Sequence, residues 1–301
     1  MEINGKEEED YSPPTFHFNM LKKYFEAYNN ESRLMVERFE KFAKSGEEVE
    51  IFNIVKRMAL DIICDTAMGV KINAIDEPNN LYLLAVEKDK TLSILKSFTQ
   101  SIIKQKALEF ENNKVELHDS TFLSNLLQFK QENKWTDEDI REEVETFMFA
   151  GHDTTSSLVS FLWWALACHQ DIREKVYEGI CDVFGEEERD VLPEDLPKLN
   201  YTDMVIKETL RRYSIVPYFN RAISNEIEVC GYVIPKGANF VFTRQHTNYN
   251  PKVFPGPYKF DPDRFLPENV AKRNAYDFTP FSAGPRNFIG QQFALNETKQ
   301  C

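Results

Sequence analysis

The sequence predicts a mainly α-helical protein with a small β portion, an α+β fold class. Apolar residues recur at helical spacing through the first two thirds of the chain, whereas alternating apolar and polar residues begin only after about Ser214. Prolines then interrupt a long region that cannot be a regular helix. We therefore expect a helical body over about 13–213 and a strand, coil and loop region over about 214–301, within a single domain covering 1–301.

Composition and charge limit the possible functions. With 42% apolar and 28% charged residues, the chain is typical of globular proteins. The 36 Lys and Arg residues against 49 Asp and Glu residues give a net charge of −13, so we expect no nucleic-acid partner. The 5 cysteines form no C-x-x-C pair, which indicates a reduced, intracellular protein. The longest apolar run, 156–168, is shorter than the roughly 20 residues that span a bilayer, so we expect no membrane anchor in this chain.

Helical periodicity marks four segments of the body, which are about 16–25, 51–63, 82–110 and 143–169. Thr136, followed by acidic residues, is the expected N-cap of the last and longest helix. In the C-terminal region, the turn at Cys230 and Gly231 predicts a hairpin of short strands, and a final helix is expected to begin near Gln291.

The centre of the long helix reads AGHDTT and contains four poor helix formers, Gly151, Asp153, Thr154 and Thr155. The threonine hydroxyls can donate to the carbonyls one turn earlier, which would distort the helix and turn polar groups towards a cavity. On its own, the segment is more typical of a kinked helix packed in a core than of a catalytic site. The neighbouring His152 is expected to be a hydrogen-bonded histidine, either buried or facing a groove, and not a metal ligand.

Glu208 and Arg211 lie one helical turn apart and can form an ion pair on one helix face. Arg264 follows in a proline-rich coil, where its planar guanidinium could bridge Glu208 and hold the coil against the helix. The alternative is an exposed salt bridge worth under about 1 kcal/mol, with Arg264 as an ordinary surface residue.

The last informative segment reads PFSAGPRNFIG, where Phe281, Gly284, Arg286 and Gly290 frame a loop before the final helix. The two glycines would let the backbone pass close to a flat ligand, and Arg286 could bind carboxylates. As an isolated loop it has no distinctive signal.

Taken together, in this order and spacing, these segments resemble the cytochrome P450 haem-thiolate monooxygenases from about Pro13 to Cys301. The resemblance implies the P450 fold, incomplete at both ends. It implies that AGHDTT is the oxygen-activating helix, in which Asp153 and Thr154 deliver protons, and that Glu208, Arg211 and Arg264 are the structural triad.

The same resemblance implies a haem cofactor and an electron-donating reductase. The haem-binding loop would include Phe281, Gly284 and Gly290, while Arg286 and more weakly Arg221 would contact the haem propionates. Three segments, EVETFMFAGHDTTSS, PTFHF and DIICDTAMG, are similar in sequence to members of the family-four branch. Members of this branch hydroxylate fatty acids or related lipids. The implied substrate is therefore a lipophilic small molecule, and the implied location is the endoplasmic reticulum membrane.

Three departures from the family accompany this resemblance. Phe288 occupies the position of the iron-ligating cysteine, and a phenyl ring has no lone pair to donate. Cys301 lies about ten helical residues beyond Gly290, roughly 15 Å along a helix axis, so it is a poor substitute. Ala150 stands where some branch members have the glutamate that esterifies haem, and the chain is shortened around 87–98.

The implied function is accordingly a haem-dependent monooxygenase scaffold that is inactive in this chain because Phe288 replaces the thiolate ligand. The alternative is a non-catalytic pseudoenzyme or a remnant that binds haem or another small molecule.

Overall fold

Helices form most of the protein and strands are few, as the sequence predicted. A computed structural model describes residues 21–77, 80–87, 92–111, 121–133, 135–185, 187 and 189–301. The helices are α1 (Phe25–Ser45), α2 (Ile51–Ile63), α3 (Leu81–Glu87), α4 (Leu92–Glu111), α5 (Phe122–Asn133), α6 (Asp137–Cys168), α7 (Gln170–Phe184), α8 (Asn200–Arg212), α9 (Arg244–Asn248), α10 (Pro267–Val270) and α11 (Gln291–Gln300). The beginning of the first predicted helix, 16–20, lies outside the described residues, as does PTFHF at 14–18. Of the described helices, none is both long and apolar enough to cross a bilayer.

Helix α6 is the long central helix that the sequence predicted, and it begins at Asp137, directly after the predicted N-cap. Thr136 is its cap: the Asp139 N–H donates to Thr136 Oγ1 at 3.2 Å, and the Asp139 carboxylate accepts from the Thr136 N–H at 2.7 Å. The predicted distortion around Gly151 is wrong, since α6 is α-helical throughout. Packing explains this glycine instead, because a Cβ there would lie 2.8 Å from Cδ1 of Ile63 on α2.

The single helix predicted over 82–110 is also wrong, because α3 and α4 are separate helices. The rings of Tyr82 on α3 and Phe98 on α4 contact each other, with centroids 5.1 Å apart. Four consecutive charged residues, 87–90, interrupt the apolar pattern between the two segments, a signal that periodicity alone passed over.

The chain divides into two compact units. The first contains the described residues up to Ser160 together with 187, 189–198 and 289–301. Its core is apolar and includes Met35 of α1, Met58 of α2 and Met148 of α6, all fully buried. Phe293 of α11 packs edge-to-face on Tyr28 of α1, with ring centroids 5.5 Å apart. This contact joins the final helix to α1.

The second unit contains 161–185 and 199–288 of the described residues, and it holds both sheets. Strand β1 (Tyr218–Ala222) pairs antiparallel with β4 (Asn239–Thr243), so that Phe219 lies opposite Phe242. Strands β2 (Ile227–Val229) and β3 (Tyr232–Ile234) form the hairpin that was predicted at Cys230 and Gly231. Both turn residues have positive φ, 52° and 81°, as a tight two-residue hairpin requires.

Candidate functional site

Two residues at the centre of α6, Asp153 and Thr154, are the predicted proton-handling groups. Thr154 Oγ1 donates a hydrogen bond to the carbonyl oxygen of Ala150 at 2.7 Å, as the sequence predicted. Asp153 Oδ1 lies 3.5 Å from Nζ of Lys56 on α2, and the Lys56 side chain is only 6% exposed. The buried ammonium therefore holds one side of this carboxylate.

The sequence reasoning missed Lys56. A signal was present, because Lys56 stands between Val55 and Met58 on the apolar face of α2, where a lysine is rarely buried without a partner. The ammonium also lies 5.4 Å from the ring centroid of Phe52, which adds a cation–π contact.

His152 faces the interior of the first unit and is completely buried. Its Nδ1 is 2.7 Å from the carbonyl oxygen of Met148, one turn earlier on the same helix. Burial lowers the pKa of His152 to about 4, so the ring is neutral near pH 7 and Nδ1–H donates to that carbonyl. Nε2 is buried without a hydrogen-bond partner in the structure. Across the described ranges, no group of three or more side chains could ligate a metal ion.

In the second unit, the structure brings Glu208, Arg211 and Arg264 together in one buried network. Arg211 forms a bidentate ion pair with Glu208: Nε donates to Oε2 and Nη2 donates to Oε1, both at 2.7 Å. Arg264 contributes a longer ion pair, with Nε 3.7 Å from Glu208 Oε1. The remaining Glu208 contact is the Asp261 N–H, which donates to Oε1 at 2.8 Å. Glu208 is thus held mainly by Arg211 and by backbone.

Both arginines of this network fasten the proline-rich coil through its backbone carbonyls. Arg211 Nη1 donates to Asn248 at 2.8 Å and to Pro257 at 3.0 Å. Arg264 donates to Pro255 at 2.6 Å and to Gly256 at 2.8 Å. These bonds satisfy carbonyls that no regular secondary structure would satisfy, and they hold the coil against α8.

The loop that precedes α11 has a defined backbone. The Phe288 N–H donates to the Phe281 carbonyl at 2.9 Å, and the two rings stack with centroids 6.1 Å apart. Gly284 has φ of +82°, and nothing lies within 4 Å of a Cβ built on it. Backbone conformation, not crowding, therefore requires this glycine. Gly290 has an ordinary φ of −80° and caps α11, its carbonyl accepting from the Ala294 N–H at 2.9 Å.

The two arginines that were expected to bind carboxylates lie in the second unit. Arg286 is exposed and forms no ion pair with any residue that the structure describes. Arg221 on β1 donates to the neighbouring Asn220 carbonyl at 3.0 Å, and its guanidinium carbon lies 4.8 Å from the ring centroid of Phe219. Neither guanidinium is neutralised by a carboxylate in the described part of the chain.

The donor chemistry of this loop does not fit a haem ligated by thiolate. The residues 281–290 include no cysteine and no histidine, and position 288 offers only a phenyl ring. Cys301 Sγ instead contacts Ser32 Oγ at 3.8 Å and Met58 Sδ at 3.7 Å. Burial raises the pKa of the Cys301 thiol, as it does that of Cys64, so both stay protonated near neutral pH.

Comparison with known proteins shows to which family this chain belongs. The sequence model of the cytochrome P450 family matches residues 6–93 and 84–301. The chain is 37% identical to Cytochrome P450 4V2 of Homo sapiens over 328 aligned residues, which cover 95% of this chain and 62% of that protein. It is 37% identical to Cytochrome P450 4c21 of Blattella germanica over 326 residues, covering 95% and 65%. It is 35% identical to Cytochrome P450 4d2 of Drosophila melanogaster over 331 residues, covering 95% and 66%.

These alignments also report on length. The chain spans 62% to 66% of the length of these relatives. The alignments are longer than the 301-residue chain, so the relatives contain internal segments that this chain lacks. The two matched segments overlap at 84–93, which coincides in part with the shortening that the sequence predicted around 87–98.

Proposed function

Because the chain belongs to the cytochrome P450 family, whose members are monooxygenase oxidoreductases, we propose that it is a monooxygenase scaffold that lacks the thiolate ligand. In this proposal the ancestral reaction is hydroxylation of fatty acids or other lipophilic small molecules with dioxygen and electrons from a reductase. With Phe288 at the ligand position, this chain does not perform that reaction. Association with the endoplasmic reticulum membrane is part of the same proposal and rests on the family alone.

The observation that supports inactivity is the chemistry of residue 288. An axial thiolate donates electron density that favours O–O cleavage, and a phenyl ring cannot replace it. The other roles are proposals for a chain with the ligand restored: Arg286 and Arg221 bind the propionates, and Asp153 and Thr154 hold protons on α6. In such a chain the haem would supply the iron centre.

A second candidate is a protein that binds haem or another flat carboxylate-bearing molecule without catalysis. It is favoured by Arg286, which is exposed and lacks a carboxylate partner among the described residues. A free guanidinium can bind a ligand carboxylate without any iron ligand. This candidate predicts saturable binding of haem by the unmodified chain, without a thiolate spectrum.

The test compares ferrous-CO spectra of three proteins after addition of haem. Only the Phe288→Cys variant should give the red-shifted Soret band that reports axial thiolate, since only it has a thiol at the ligand position. Asn287→Cys is the matched control, because it places the same thiol one residue away in the same loop. A thiolate band from the unmodified chain would overturn the proposal, and so would equal bands from both cysteine variants. Haem binding by Phe288→Cys without the band would show that position 288 is not the ligand position, and failure of that variant to bind haem would show that the scaffold has lost its haem site.

A further inference from the structure

Arg244, the first residue of α9, reaches the entrance of the 281–290 loop. Its Nη1 donates to the carbonyl oxygen of Thr279 at 3.2 Å and to that of Pro280. These carbonyls belong to the two residues directly before Phe281. One guanidinium therefore joins the end of β4 to the start of the loop.

The position of Arg244 is itself fixed. Its guanidinium carbon lies 5.3 Å from the ring centroid of Phe219 on β1, and Phe219 stacks on Phe242 of β4 with centroids 4.9 Å apart. Nε is buried without a partner, and burial lowers the pKa of Arg244. No carboxylate of the described residues forms an ion pair with it. A half-buried cation without a counter-ion is unfavourable unless its hydrogen bonds compensate, and the loop carbonyls provide those bonds.

The entrance that Arg244 contacts is a conformationally demanding part of the loop. Ser282 has φ of +66°, a conformation that non-glycine residues adopt only where surrounding contacts enforce it. Its N–H donates to the Thr279 carbonyl at 3.0 Å, so Ser282 and Arg244 bond the same oxygen. One residue earlier, the Phe281 carbonyl accepts the Phe288 N–H at 2.9 Å. A continuous set of bonds thus links Arg244 to the backbone of residue 288.

We propose that Arg244 is a positioning residue that fixes the entrance of the loop and thereby the place of residue 288. Its effect on ligation rests on the proposed assignment of 288 as the ligand position. Its effect on the loop backbone does not, because the bonds involved are present with phenylalanine at 288.

The first arm of the test measures hydrogen exchange in the unmodified chain and in Arg244→Ala. Amides of 280–290 should exchange about tenfold faster in the variant, because two hydrogen bonds from a charged donor are lost. Amides of α8 serve as an internal reference and should exchange at an unchanged rate. Arg244→Lys, which keeps the charge, should restore part of the protection. Arg221→Ala is the matched control, since Arg221 lies over the same Phe219 ring but donates only to Asn220.

The second arm places Arg244→Ala in the Phe288→Cys chain and measures the fraction of bound haem that gives the red-shifted ferrous-CO band. This fraction should fall at least about tenfold, as the thiol loses its position. Loop exchange that stays unchanged, or that accelerates equally with α8, would overturn the inference, as would an unaltered band fraction. If Phe288→Cys with Arg244 intact gives no band, the proposed ligand position fails, and the exchange arm still decides whether Arg244 holds the loop.

Discussion

Removing either arginine of the Glu208 network should destabilise the protein, and the two losses should be unequal. Arg211→Ala removes both short bonds to a carboxylate that has no exposed surface. Breaking a buried ion pair by removing one partner costs about 3–5 kcal/mol, because the remaining charge stays buried. Arg264→Ala leaves Glu208 bonded to Arg211 and removes two bonds to carbonyls, which water can partly replace. We expect a cost of about 1.5–3 kcal/mol there.

The assay is unfolding in urea, monitored by far-UV circular dichroism. Free energies of unfolding are compared between variants that have the same m value, which is the slope of that free energy against urea concentration. Lys44→Ala is the control, since Lys44 and Glu40 form an exposed pair on α1 whose loss should leave the free energy of unfolding nearly unchanged. Equal costs for Arg211→Ala and Arg264→Ala would refute the division of roles read from the structure. A cost for Arg211→Ala no larger than that of Lys44→Ala would refute the buried network itself.

Three further predictions follow from local geometry. Gly151→Ala should lower the free energy of unfolding by about 1–3 kcal/mol relative to Gly179→Ala, because a Cβ meets Ile63 at the first position and nothing within 4 Å at the second; equal effects in thermal melts would contradict this. Burial raises the pKa of Glu297 well above its ordinary 4.5, so this carboxyl group should lower the stability of the folded protein as pH rises above 4.5, and Glu297→Gln should lose less stability than the unmodified chain in melts between pH 5 and 8. Hydrogen bonds, chiefly from a neighbouring arginine, lower the pKa of Asp195 below its ordinary 3.8, so its stabilising effect should be present above that pH and vanish in more acidic buffer, where Asp195→Asn and the unmodified chain should converge.

Periodicity predicted the fold class and the central helix because apolar spacing along α6 is regular over many turns. The same periodicity predicted one helix in place of α3 and α4, because the apolar residues of both segments recur at helical spacing. Only the charged residues 87–90 separate the two segments in the sequence. It also assigned a kink to Gly151, although the close approach of Ile63 explains the glycine. The two errors have different origins: the break between α3 and α4 has a local signal in the sequence, whereas the contact of Gly151 with Ile63 joins distant segments and is not encoded in the spacing of one helix.

The candidate site was predictable where two side chains pair within one turn of the same helix, and not where they pair across helices, as Lys56 and Asp153 do. Glu208 and Arg211 were found from their spacing. The acceptors of Arg211 at Asn248 and Pro257 are backbone carbonyls, which every residue type has, so the sequence does not identify them. The same holds for Arg244, whose acceptors are backbone oxygens of Thr279 and Pro280. The backbone acceptors of such arginines therefore cannot be predicted from sequence motifs, even where the arginine itself can be.

The shape of the 281–290 loop and the chemistry of residue 288 depend on different atoms. The bond from the Phe288 N–H to the Phe281 carbonyl uses backbone only, and the positive φ of Gly284 is indifferent to the side chain at 288. If position 288 is the ligand position, as proposed above, a phenyl ring there removes the iron donor without removing the bonds that shape the loop, and its ring stacks on that of Phe281. Under that proposal the protein folds without the donor, because the loop is shaped by backbone bonds. For the same reason, an ordered loop is no evidence of activity, and a single side-chain change at 288 is the direct way to separate a lost ligand from a lost site.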